Sequence, residues 1–127
     1  MSRTAITTGS RFEEMAGYSR AVIDGEWVFV SGTTGHDHAA GTIADDAAGQ
    51  ARQSLKTIEE TLAKADATFA DVVQVRVYLA DAADVAAVSQ ELGQRFAPPR
   101  PTNTTVIVGF PLEEIKVEIE MIALKRR

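Results

Sequence analysis

The sequence predicts an α+β domain: a mixed sheet with two helices packed on one of its faces. Several runs alternate apolar and polar residues with period two, as strands do, while two other segments repeat at spacings of three and four. The order along the chain is strands, helix, strand, helix, strands, which two helices on one sheet face accommodate.

The elements follow in order. Ser19 to Ile23 and Glu26 to Ser31 read as a hairpin around Asp24-Gly25, a dipeptide suited to a two-residue turn. Residues 33 to 44, rich in Gly, Thr, Ala and His, read as a loop. Asp45-Asp46 then opens a helix, acidic at the positive end of its dipole, with an apolar stripe of Ala48, Ala51, Leu55, Ile58, Leu62 and Ala65. Asp71 to Ala80 returns to period two, with Val73, Val75, Val77 and Leu79 on one face. A shorter helix is expected from about Asp84 to Phe96, turning Val85, Val88, Leu92 and Phe96 inward and stopped by Pro98-Pro99. Strands near Thr102 to Gly109 and Ile115 to Leu124 complete the domain.

In the last strand Ile115, Val117, Ile119, Met121 and Ala123 share one side. Lys116, Glu118 and Glu120, then Ile122 and Leu124, share the other. A second face of such mixed character suits packing against another copy, so a homo-oligomer is expected.

The totals narrow the function. A chain of 127 residues fits one domain, 1–127. A net charge of −5 disfavours nucleic-acid binding through a broad basic face, and the terminal Lys125-Arg126-Arg127 is too short to supply one. With no cysteine, disulfides, thiol nucleophiles and sulfur-held metals are excluded. Met1-Ser2-Arg3-Thr4 does not start a signal peptide, and no apolar run reaches membrane-span length, so a cytoplasmic protein without a membrane partner is expected. His36 and His38, with only Asp37 and Asp45 near them in sequence, are too few for a zinc site.

The chemistry points to the last quarter of the chain. Arg100 follows Pro98-Pro99, and Glu118 and Glu120 project from the polar side of the last strand. A guanidinium matches a carboxylate with two parallel hydrogen bonds, and a glutamate can orient water. The pair suggests hydrolysis of a small acid.

A resemblance sharpens this. Tyr18-Ser19-Arg20-Ala21-Val22, Val28-Phe29-Val30-Ser31-Gly32 and Gln50-Ala51-Arg52-Gln53-Ser54-Leu55 resemble the RidA/YjgF family. So do the strand Asp71 to Leu79, the pair Pro99-Arg100 and the run Val117 to Ala123, in order over nearly the whole chain. The resemblance implies a chorismate-mutase-like fold and a homotrimer with sites between subunits. It also implies hydrolytic deamination of reactive 2-imino or enamine acids to 2-oxo acids and ammonia, with no cofactor and no metal. Arg100 then matches the arginine that grips the substrate carboxylate, and Glu118 the glutamate associated with the catalytic water. Tyr18, Ser31 and Gly32 match pocket residues. Thr33-Thr34, with Thr33 as the pocket residue, and Ser89 stand where many members carry glutamine and asparagine, and the run beginning at Thr102 would complete the hydrogen bonding. A small-acid-binding module of the same fold, a hydrolase acting on another acid, and RNA cleavage are the alternatives.

Overall fold

The computed structural model describes residues 3–126, so what the sequence suggests for Met1, Ser2 and Arg127 lies outside the described residues. Its centre is a six-stranded mixed sheet in the order β1-β2-β3-β8-β6-β7. The strands are β1 (Arg3–Ile6), β2 (Ala21–Asp24), β3 (Trp27–Thr34), β6 (Val72–Leu79), β7 (Thr102–Ile107) and β8 (Val117–Leu124). Among the described strands only β6 and β7 run parallel, joined through α3 (Val85–Gly93). The long helix α2 (Ala47–Lys64) packs beside α3 on one face.

Alternation and helical spacing together make the core. From α2, Leu55, Ile58 and Leu62 are fully buried against Val77, Ile119 and Met121 of the central strands, and α3 adds Val88 and Leu92. Each such side chain contributes about 1.5–3 kcal/mol on burial. Asp46 caps α2, its carboxylate accepting from Gly49 N at 3.1 Å.

Several expectations shift. A strand and a helix lie before Ser19: β1 pairs with β2 at the sheet edge, and α1 (Arg11–Ala16) starts at Ser10 and ends at Gly17 with φ 74°. The loop from Gly35 holds a small hairpin, β4 (His36–Asp37) with β5 (Thr42–Ile43). The β2–β3 turn is centred on Gly25-Glu26, because Asp24 pairs with Trp27 and Gly25 alone of the two takes positive φ, 60°. A glycine first with positive φ is the type II′ pattern. The buried stripe of α2 uses Ala47 in place of Ala48, and α3 ends at Gly93 with Val85 exposed.

Two irregularities matter more. Between Val72 and Gln74, β6 carries one extra residue relative to β8, so Val72 joins Val75 in the core and Val73 does not. Between Val30 and Thr33, β3 carries one extra residue in the same way. Val28 and Val30 face the helices, and after the bulge Thr33 does so too.

Gln50, fully buried in α2, ties the loops around this bulged strand. Its Nε2 donates to the carbonyls of Ala44 and Glu114, each at 2.8 Å, and its Oε1 accepts from Lys116 N at 2.8 Å. Gly35 lies so close that an added Cβ would fall 2.5 Å from Gln50 Cα. Replacing Gln50→Ala removes a buried side chain that bonds three backbone groups and is expected to cost about 2–4 kcal/mol, read by chemical or thermal denaturation.

Candidate active site

The bulge at Ser31-Gly32 sets up the site. In register, Glu118 of β8 lies between Thr34 of β3 and Tyr78 of β6, on the face away from the helices. Its carboxylate folds over Gly32, where a Cβ would meet Glu118 Cδ at 2.9 Å. Real Cβ atoms do not approach so closely, so an alanine here would push the Glu118 carboxylate aside; the constraint at Gly32 is one of contact and not of φ. Ser54 Oγ of α2 donates to the Thr33 carbonyl at 2.8 Å and pins the bulge from the core side.

A cleft of about 460 Å³ opens above this point, walled by Glu13, Tyr18, Arg20, Gly32, Thr34 and Glu118. Phe12, Leu112 and Ile115 make one apolar side. His36 and His38 stack at 5.8 Å between ring centroids and also line it, His36 being fixed by a 2.7 Å hydrogen bond between Nδ1 and Thr34 Oγ1. Glu13 is buried and receives Thr8 N and Thr8 Oγ1. Arg20 is buried as well and donates from Nη2 to the Gly32 carbonyl at 2.6 Å.

Burial first, and the neighbouring Glu120 second, push the Glu118 carboxyl above the ordinary carboxylate range, while Arg20 pulls it back. Burial lowers the Arg20 guanidinium, opposed by Tyr18, Glu13 and Glu118. The Tyr78 hydroxyl donates to Glu120, and that bond raises the phenol. Glu118 is thus half-buried and poised between a like charge and an opposite one.

Arg100 is elsewhere on the chain. It sits between α3 and β7, its Nε donating to the Phe96 carbonyl at 3.1 Å. With Ser89, Gly93, Pro101 and Asn103 it lines a second cleft of about 300 Å³. One chain therefore presents the expected guanidinium and carboxylate in two separate clefts.

The other expected residues divide similarly. Tyr18 and Gly32 accompany Glu118, and Ser89 accompanies Arg100. Ser31 Oγ is used locally, donating to the Ser19 carbonyl at 2.7 Å. Thr102 is exposed, and its hydroxyl donates to the Val73 carbonyl at 3.2 Å. Thr33 is corrected: the bulge turns it into the core at 3% exposure, and Thr34 faces the cleft in its place. Sequence reasoning missed Glu13, Arg20 and the cleft-lining role of the histidines, and of the pair Thr33-Thr34 it chose the member that faces the core. A charge at the start of an apolar strand, as at Arg20, was the available signal.

Fold and site together define an α+β protein with an acidic group at the foot of an open cleft, and the comparisons give the family. Residues 8–125 match the model described as Endoribonuclease L-PSP, and the chain belongs to that family, the RidA/YjgF proteins. It is 31% identical over 129 residues to a Salmonella typhimurium protein named 2-iminobutanoate/2-iminopropanoate deaminase, covering 99% of this chain and 100% of that one. A YjgF/YER057c/UK114 family structure from Mycobacterium tuberculosis superposes with a TM-score of 0.88 at 41% identity, covering 97% and 99% of the two chains. The structure of RidA from Psychrobacter aligns with a TM-score of 0.81 at 28% identity, over 94% and 93%.

The contact between Glu118 and Gly32 is directly testable. Gly32→Ala is expected to displace the Glu118 carboxylate and to lose about 1 kcal/mol, the low end of overpacking costs, because the opposing atoms end a flexible side chain. Adding Glu118→Ala removes the opposing atoms and should restore most of that loss in a double-mutant cycle of denaturation midpoints.

Proposed function

We propose that this protein hydrolyses reactive 2-imino or enamine acids to 2-oxo acids and ammonia, at sites completed between copies in a homotrimer. One observation carries the reading: a half-buried glutamate, its carboxyl raised by burial, folded onto a bulge glycine beneath an open cleft. Relatives that match nearly the whole chain and are named 2-iminobutanoate/2-iminopropanoate deaminase support it.

The substrate is already electrophilic, so the protein has three tasks: hold the carboxylate, place a water, and manage protons. Arg100 holds the carboxylate with its free guanidinium edge, Nε being committed to the Phe96 carbonyl. Ser89 borders the same cleft. Glu118 accepts a hydrogen bond from the water and turns its lone pair toward the C2 carbon. Addition of water across C=N gives a carbinolamine. As the carbinolamine collapses, its hydroxyl proton passes to nitrogen, the C–N bond breaks, the 2-oxo group forms and ammonia leaves with both hydrogens of the added water. Glu118 also stabilises the developing ammonium, while Tyr18 closes the side of the cleft. No electron leaves the substrate, so no redox group is called for.

Separation of Arg100 from Glu118 on one chain is what supports sites between subunits. The sheet face opposite the helices supports the assembly, with Trp27, Phe29, Ile122 and Leu124 in paired register and both aromatic rings about half exposed. Light scattering should return three times the chain mass; a monomer would contradict the shared site.

In an assay where a lyase generates 2-aminoacrylate, the protein should accelerate pyruvate formation. Arg100→Ala should abolish that acceleration with mass and melting temperature kept, and unchanged turnover would end the proposal. Glu118 acts as the carboxylate, so kcat/KM should rise as pH passes through its raised pKa. The acid limb should therefore lie above the ordinary value of about 4.3 and vanish in Glu118→Gln.

A further inference from the structure

The Glu118 cleft contains a basic side chain to which the reaction above gives no task. Arg20 stands just before β2 and is 8% exposed. One nitrogen, Nη2, donates to the Gly32 carbonyl at 2.6 Å. Its Nε is buried with no hydrogen-bond partner among the described residues. Burying a guanidinium is unfavourable, and leaving one of its donors unpaired is more so. A strand start beside a core needs no such residue for packing, so the cost points to a role in the site.

The surroundings say what the charge answers. Glu13 approaches from α1, Tyr18 from the segment between α1 and β2, and Glu118 from β8. Glu120 acts on Glu118 along the same strand, and β6 presents Tyr78, with Arg76 beside it. His36 and His38 line the rim. Among these, Arg20 is the cation that acts on Glu118, set against the repulsion of Glu120. The residue whose carbonyl it grips is the same glycine on which the Glu118 carboxylate rests.

We infer that Arg20 is the positioning residue of this cleft: it fixes the bulged backbone at Gly32 and holds the Glu118 carboxylate resting there in its ionised, water-orienting form. The inference rests on the reading of Glu118 as the group that orients water. Arg20 works through Glu118 and the bulge, and Arg100 remains the group that holds the substrate carboxylate. Without the charge at position 20, burial and Glu120 act on Glu118 unopposed, and the carboxyl takes up its proton at a higher pH. The hydrogen bond and the charge are separable: Arg20→Gln keeps a donor near the Gly32 carbonyl without charge, and Arg20→Lys keeps the charge.

The experiment compares wild type, Arg20→Gln and Arg20→Lys as full chains with two readouts. One is the pH profile of kcat/KM in the lyase-coupled assay. The other is carbon-13 NMR titration of the Glu118 side-chain carboxyl. Arg20→Gln should move both midpoints to higher pH by about half a unit or more, and Arg20→Lys should return most of that shift. Equal losses of melting temperature in both variants, with unmoved midpoints, would mean a purely structural role and overturn the inference. If the wild type itself shows no turnover, the deaminase reading fails there, while the titration still decides on Arg20. Should Arg20→Gln not fold, Arg20→Gln/Glu118→Gln decides: recovered cooperative melting shows that the two charges answer each other, and continued unfolding overturns the inference.

Discussion

The whole site depends on one close approach: the side chain of Glu118 lying against the α-carbon of Gly32. Two features permit it, and neither is sufficient alone. The extra residue in β3 between Val30 and Thr33 opens the ladder, and the missing side chain at Gly32 leaves room for a carboxylate. The same bulge reverses the phase of the strand, sending Thr33 into the core and Thr34 to the cleft. It is held from below by Ser54 and from the side by Arg20. Bulges next to active sites commonly re-aim side chains in this way.

The helices serve this arrangement from behind. α2 presents a stripe of small and branched residues to the sheet, yet Gln50 and Ser54 interrupt it with buried polar groups. Each satisfies backbone groups of the loops and strand that frame the cleft. Precision at the site thus comes from a few buried hydrogen bonds, and bulk stability from the apolar contacts around them. The second cleft, with Arg100, is built independently where α3 gives way to β7. In the proposed assembly, symmetry would join the two halves and let substrate binding depend on subunit contact.

Much of the fold was legible because period and composition agreed. The valines of β6, the 117–123 alternation in β8 and the spacing from Ala51 to Ala65 each pointed to one structure. Failures came where the pattern carries no local signal. A bulge adds a residue without changing composition, so Val72 and Val73 exchanged places, and Thr33 and Thr34 did too. The N-terminal strand is short and mostly exposed, with no alternation to detect, although Ser10 and Gly17 do mark the ends of α1. At the site, Glu118, Gly32 and Tyr18 were readable and share one cleft. Glu13 was not, and Arg20 was marked only as a charge opening an apolar strand, since the burial of both follows from long-range packing.

The most direct test is a crystal structure of the assembled protein with a bound 2-oxo acid, the expected product. The account predicts the ligand carboxylate paired with Arg100 of one copy and its C2 carbon within a water's reach of Glu118 from the neighbouring copy. Arg100 and Glu118 facing bulk solvent in separate, empty clefts of the assembled molecule would contradict it.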